Sequence, residues 1–138
     1  VTAAALAYYG DAALATIGIA CASLALAIVA GAPLALVIAH GGPWGRGVAI
    51  ALGVVRAIPE LVLAIVAVVA VGFGPAAGIA ALGLHYIAVI AKLYAEVLGG
   101  VRRDASDALR ATGATAPAAL LVGMLPAAWP GIVGFGAY

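Results

Sequence analysis

The sequence predicts an all-α membrane protein, with about four transmembrane helices and one short polar helix at the membrane surface. Three observations carry this. The 138 residues are 67% hydrophobic and 8% charged, with a mean hydropathy of +1.29. Soluble domains run at roughly 45–50% apolar and about 25% charged, so lipid must be the solvent for most of this chain. The apolar blocks do not alternate polar with apolar, as barrel strands do. Finally, the polar residues concentrate in one island, about residues 99–117, between two apolar blocks.

A bilayer core of about 30 Å takes roughly 20 apolar residues per helix, which sets the elements in order. The first predicted span covers about residues 12–39, long enough to tilt or to bend near Gly31-Ala32-Pro33. Its Ala, Gly and Ser content favours close helix approach. Residues 40–47 carry Gly41, Gly42, Pro43 and Gly45 and are expected as a loop. The second span is expected over about 48–71, interrupted by Pro59. Two arrangements suit Pro59: a separate interfacial helix over 48–58 with Pro59 in the first turn of the spanning helix, or one kinked helix. Gly72-Phe73-Gly74-Pro75 makes the next turn, the third span covers about 78–98, and the fourth begins near Ala118 with Pro126, Pro130, Gly131, Gly134 and Gly136 inside it.

Orientation follows from the basic residues. Arg46, Arg56, Arg102, Arg103 and Arg110 lie at the two connections joining spans one–two and three–four, while the Phe73 turn and the N-terminal flank carry no Lys or Arg. Both basic connections are therefore expected on the cytoplasmic side. No basic n-region precedes the first apolar block, so no signal peptide is expected. Both ends look cut, and the chain is expected to be one transmembrane domain, 1–138, incomplete at each end. A single cysteine, Cys21, forms no intrachain disulfide and is expected as a small buried hydrophobe. Six basic residues spread over the chain make no nucleic-acid patch.

Ionisable residues in a span are costly, roughly 2.5–3.5 kcal/mol at a helix centre on insertion scales. His85, Lys92 and Glu96 on span three are spaced seven and four apart and share a stripe about 40° wide. Arg56 and Glu60 on span two are four apart. Counting from the cytoplasmic ends of two antiparallel helices places Glu60 level with Lys92 and Arg56 level with Glu96, so two cross-helix ion pairs are expected in a candidate intramembrane polar cluster. The competing reading lets each side chain reach the interface alone. His85 lies deeper, either lining a pathway or hydrogen-bonded to a neighbouring helix.

In the island, Asp104 or Ser106 is placed to cap a short helix through Thr112; Gly113 ends it and Pro117 prevents continuation. Such a polar, two-turn helix between apolar blocks is a feature that a water-soluble partner can grip. No G-x-x-x-x-G-K-S/T loop is present, so nucleotide hydrolysis is not expected of this chain. No Cys/His cluster suggests a metal, no cofactor is implied, and Ser23 and Ser106 have no nearby base.

The spacing of the island resembles the "EAA" loop of ABC importer permeases: Glu-Ala-Ala, three residues, Gly, nine residues, Ile, one residue, Leu-Pro. Asp107 stands for the Glu; Ala108, Gly113, Leu125 and Pro126 match; Leu109 replaces the second Ala and Gly123 replaces the Ile. The wider pattern resembles the phosphonate-type permeases. Arg56 to Val62 reads RAIPELV, Val71 to Pro75 reads VGFGP, His85 is followed by Ala91 to Glu96 as AKLYAE, and Asp107 to Ala114 reads DALRATGA before Gly123-Met124-Leu125-Pro126. That branch itself carries Glu-Ala-Leu-Arg-Ala-Thr-Gly-Ala and Gly-Val-Leu-Pro.

The resemblance implies a type I importer permease core in a bacterial inner membrane. It implies a homodimeric pore, two copies of a cytoplasmic ATPase, and an extracytoplasmic phosphonate-binding protein. Asp107, Ala108, Leu109, Gly113, Leu125 and Pro126 would belong to the ATPase-coupling loop, whose stretch from Asp107 to Gly113 would be the coupling helix. Asp107 is shorter than the usual Glu, and residues 116–122 lack the polar side chains such loops carry. Competing readings keep the mechanism with methionine or another small solute as cargo, or make the chain a non-transporting membrane scaffold. An intramembrane enzyme is disfavoured because His85 and Glu96 lie about 16 Å apart along their helix.

Overall fold

The computed structural model of the chain describes residues 3–101 and 104–136, all helices and short turns. α1 (Ala3–His40) is followed by α2 (Gly42–Ala57), α3 (Glu60–Val71), α4 (Pro75–Gly100) and α5 (Asp104–Ala111). A last rod begins as α6 (Ala116–Ala118), passes through a π-helical segment (Ala119–Met124) and ends as α7 (Leu125–Gly136). Three helical stretches are long and apolar enough to cross a membrane: Ala5–His40, Pro75–Gly100 and Ala116–Gly134. The bent pair α2–α3 makes a fourth if it counts as one span. The all-α membrane architecture is thus the one expected, with differences at three places.

The scaffold is the pairing of α1 with α4 along a seam of small residues. Ser23, Ala27, Gly31 and Ala35 repeat every four residues on α1, and Ala81, Ala88, Ala91 and Ala95 are buried on α4. Small side chains let helix backbones approach where lipid offers no hydrophobic drive. A Cβ on Gly31 would lie 3.1 Å from the Ile87 carbonyl oxygen, and one on Gly83 would lie 2.8 Å from Leu26 Cδ2. Ser23 satisfies its hydroxyl by donating to the Ile19 carbonyl at 2.8 Å. The contacts Ile19–Gly78, Leu26–Gly83 and Gly31–Ile90 climb together along both helices. α1 and α4 therefore run parallel, and the connections that follow them lie at the same end, as the arginines require. Cys21 faces outward from this seam and is exposed, which corrects the expected burial.

The expected loop at 40–47 is reduced to Gly41 alone. Gly41 and Gly42 both take positive φ, 80° and 77°, a reversal that costs glycine no Cβ strain. Pro43 then sits in the first turn of α2, where its missing N–H and fixed φ suit a helix start. Gly45 is buried against the last turn of α1, with its absent Cβ 2.7 Å from the Val37 carbonyl. The turn chemistry was legible; its economy was not.

At Ile58 and Pro59 the chain is extended, and α2 and α3 meet at 90°. A residue before proline is pushed out of the helical region, so the separate-helix arrangement holds, with Pro59 just ahead of α3 rather than inside it. α3 has 12 residues, about 18 Å at 1.5 Å per residue, and packs beside α4 after the Gly72–Gly74 turn.

Where α1, α4 and the last rod meet, Leu98, Met124 and Ala128 form a buried cluster, joined by Leu36, Val97, Leu125 and Ile132. This small core lies directly behind α5. The π-helical segment has a local cause. Pro126 has no N–H to donate and its ring crowds the carbonyl four residues back. Ahead of it the ladder widens, and the Leu125 N–H donates to the Leu120 carbonyl, five residues back.

Candidate functional site

α5 is eight residues of DASDALRA, about 12 Å long. Its acidic residues, Asp104 and Asp107, stand in the first turn and Arg110 in the last, the sense that suits the helix dipole. Helix α5 opens at Asp104 with Ser106 inside its first turn, so neither is the residue ahead of the helix; Arg102 and Arg103, which bear on orientation, lie outside the described residues.

The end of α5 is a complete Schellman stop. Gly113 has φ +90°, its N–H donates to Arg110 O at 3.0 Å, and the Ala114 N–H donates to Leu109 O at 3.1 Å. The Thr112 hydroxyl also donates to Leu109 O, at 2.8 Å. Three orphan carbonyl contacts at one helix end give a sharp, defined exit, as expected of Gly113.

The two faces of α5 differ. Asp107, Ala108, Arg110 and Ala111 are exposed, while Ser106 and Leu109 turn inward. They rest on Gly123, buried in the π-helical segment: a Cβ there would lie 3.1 Å from Leu109 Cδ1 and 3.1 Å from the Ser106 backbone. Leu125, half-buried, belongs to the core behind that seat, and Pro126, exposed, is the residue that widens it. The expected loop residues are therefore assembled into one unit: Asp107 and Ala108 outward, Leu109 inward, Gly113 at the stop, Leu125 and Pro126 beneath. In the sequence Gly123 stands only as a departure from the pattern, and its reciprocity with Leu109 shows in this contact alone. A cavity of about 210 Å³ separates α5 from the end of α1, lined by His40, Ser106, Asp107, Arg110 and Leu120 among others.

The second group of residues is arranged differently from expectation. Lys92 Nζ lies 3.3 Å from Glu96 Oε1 on the same helix, with the side chains 44% and 57% exposed. Arg56 and Glu60 are exposed at the α2–α3 break and make no ion pair with α4. The expected cross-helix pairs are corrected for two reasons. The 90° bend turns the helix carrying Arg56 away from the antiparallel line. Counted from the Gly72–Gly74 turn, Glu60 comes level with Tyr86, six residues short of Lys92, about 9 Å. An exposed i,i+4 pair of this kind is worth about 0.3–0.5 kcal/mol, so it does not anchor the fold. His85 is partly buried, its ring edge-on to Tyr86 at 5.7 Å between centroids. Its Nδ1 is enclosed and has no hydrogen-bond partner among the described residues.

The bundle of apolar spans thus carries a short polar helix on one face, stopped sharply and seated on the next span. The chain belongs to the family of binding-protein-dependent transport system inner membrane components, which it matches over residues 27–137. It is 42% identical over 85 residues to the phosphite transport system permease protein PtxC of Stutzerimonas stutzeri, covering 61% of this chain and 31% of that protein. A putative phosphite transport system permease protein, HtxE, of the same organism is 38% identical over 87 residues, 63% of this chain and 33% of the relative. The phosphate-import permease protein PhnE of Mycolicibacterium smegmatis is 40% identical over 85 residues, 62% of this chain and 16% of its own length. The chain thus spans about a third of the two Stutzerimonas proteins and less of the third. No solved structure gives a significant match.

Proposed function

We propose that this chain is part of the permease subunit of an ABC importer that takes up phosphonate or a related phosphorus oxyanion such as phosphite. Two permease copies form the pathway, an extracytoplasmic binding protein delivers the solute, and a separate cytoplasmic ATPase supplies the drive by docking on α5. The observation that carries the reading is the seating of α5. Its outward face is free for a partner, while Leu109 and Ser106 lock its inward face to Gly123 in the next span. A push on Asp107 and Ala108 is thereby transmitted to the rod that begins at Ala116. The activities for which the relatives are named, phosphite transport and phosphate import, support the class of cargo.

The test is uptake of labelled phosphite and of a labelled phosphonate by the full-length protein with its ATPase and binding protein. Wild type is compared with Gly113→Asp at matched membrane abundance. Uptake in wild type that is lost in the variant supports cargo and coupling together. No uptake of either compound by wild type contradicts the cargo, and uptake indifferent to Gly113→Asp contradicts the role of α5.

A further inference from the structure

Three cavities adjoin where α1 ends and α2 and the last rod begin. The largest, about 610 Å³, is apolar apart from His40, with Leu36, Trp44, Pro117 and Leu121 among its walls. A second apolar groove of about 530 Å³ follows α2 and shares Pro43 and Trp44 with the first. The third is the cavity of about 210 Å³ beside α5; it shares His40 and Leu120 with the first and adds Ser106, Asp107 and Arg110. Trp44 is 84% exposed and borders both apolar grooves. Asp107 and Arg110 line one small cavity, yet they form no ion pair with each other or with any other described residue. The His40 side chain, exposed at the end of α1, likewise has no hydrogen bond among the described residues. A cation and a carboxylate held this close without closing on each other leave room for a ligand that carries one charge of each sign.

We propose that these cavities hold one phospholipid of the phosphatidylethanolamine type, with its headgroup beside α5 and its acyl chains along Trp44. Arg110 and His40 donate hydrogen bonds to the phosphate, and the ammonium donates to the Asp107 carboxylate. A guanidinium suits a phosphate through its two parallel N–H donors. Basic pockets between membrane helices take lipid headgroups, and tryptophan is enriched at headgroup level. A free phosphate uses only the polar cavity and leaves the two apolar grooves beyond His40 and Trp44 unfilled, whereas an amphiphile matches the polar and apolar parts together. The bound lipid joins the end of α1 and the start of α2 to Leu120, in the same π-helical segment that seats α5. The site needs the membrane setting but neither the cargo nor the coupling role proposed above.

The test is lipid binding by the full-length protein, stripped in detergent and titrated with dioleoylphosphatidylethanolamine, with bound lipid counted by native mass spectrometry. The phosphatidylglycerol and phosphatidylcholine analogues are titrated in parallel. One phosphatidylethanolamine per copy is expected. Phosphatidylglycerol lacks the ammonium and phosphatidylcholine lacks its N–H donors, so each should bind roughly tenfold more weakly, the effect of one lost charge-assisted hydrogen bond. Arg110→Gln should weaken binding by a similar factor, and Asp107→Ala should erase the preference for phosphatidylethanolamine over phosphatidylcholine. Both positions are exposed, so these variants keep the proposal testable if the cavity-filling Val37→Trp fails to accumulate. Lipid with brominated acyl chains should quench Trp44 fluorescence, read as the difference between wild type and Trp44→Phe. Equal binding of the three lipids, or binding indifferent to both Arg110→Gln and Asp107→Ala, overturns the site. No retained lipid and no quenching of Trp44 also overturns it, and shows that a second copy or another segment of the full-length protein covers the grooves. No readout here involves phosphite or uptake, so failure of the lipid site is distinct from failure of the transport reading.

Discussion

Leu109 on α5 and Gly123 on the following rod fill one site between them: Leu109 Cδ1 lies 3.1 Å from where a Cβ on Gly123 would stand. In the general importer loop pattern these two positions carry Ala and Ile. Here the large side chain has moved from the span to the helix that rests on it. The total volume is similar, and volume-conserving exchanges are the ones that packed sites accept. The contact makes the two departures from the motif a single compensating exchange.

Gly113 is required by conformation and not by space, since nothing lies within 4 Å of a Cβ built there while φ is +90°. Gly113→Ala should cost about 1–2 kcal/mol through the left-handed backbone alone, and Gly113→Asn distinctly less. Thermal melting of the purified full-length protein measures both. Equal melting of Gly113→Ala and wild type would mean that the Schellman stop is not formed.

Two buried glycines should respond in different ways to the same added methyl. At Gly45 the new Cβ would meet a backbone oxygen, that of Val37, at 2.7 Å; at Gly83 it would meet the flexible end of Leu26 at 2.8 Å. Gly45→Ala is expected to lose about 1–3 kcal/mol by overpacking, with reduced membrane abundance, while Gly83→Ala stays near wild type after Leu26 changes rotamer. The reverse order in a melting comparison would contradict the close crossing of α1 and α2.

Removing the carboxylate of the α4 ion pair should hardly touch stability. Glu96→Gln is expected to change unfolding by less than about 0.5 kcal/mol, because both partners are half exposed and screened. A loss of several kcal/mol would instead reveal a buried cross-helix pair. Denaturant or thermal titration of the variant separates the two.

Much of this was legible in the sequence, and particular residues show where legibility stops. Apolar run lengths place α1, α4 and the last rod because bilayer thickness, a single number, decides them. Gly113 reads correctly because only one backbone conformation is open to such a stop. The cross-helix pairs at Arg56 and Glu60 were misread because depth counting assumes straight antiparallel rods, and Pro59 turns the chain by 90°. The π-helical turn ahead of Pro126 depends on how the rod relieves a missing donor, which residue spacing does not encode. Leu109 and Gly123 each looked like a defect in the motif, and only contact reveals them as one exchange.

The central claim is that α5 transmits force through its seat on Gly123, and a double-mutant cycle tests it most directly. Phosphite uptake is measured for wild type, Leu109→Ala, Gly123→Ile and the combined variant, each as the full-length transporter at matched abundance. Gly123→Ile should lose most uptake, since the new side chain meets both Leu109 and the Ser106 backbone. Adding Leu109→Ala should recover a substantial part of it, an interaction energy of about 1 kcal/mol or more. Full uptake by Gly123→Ile, or a double variant no better than additive, would contradict the account.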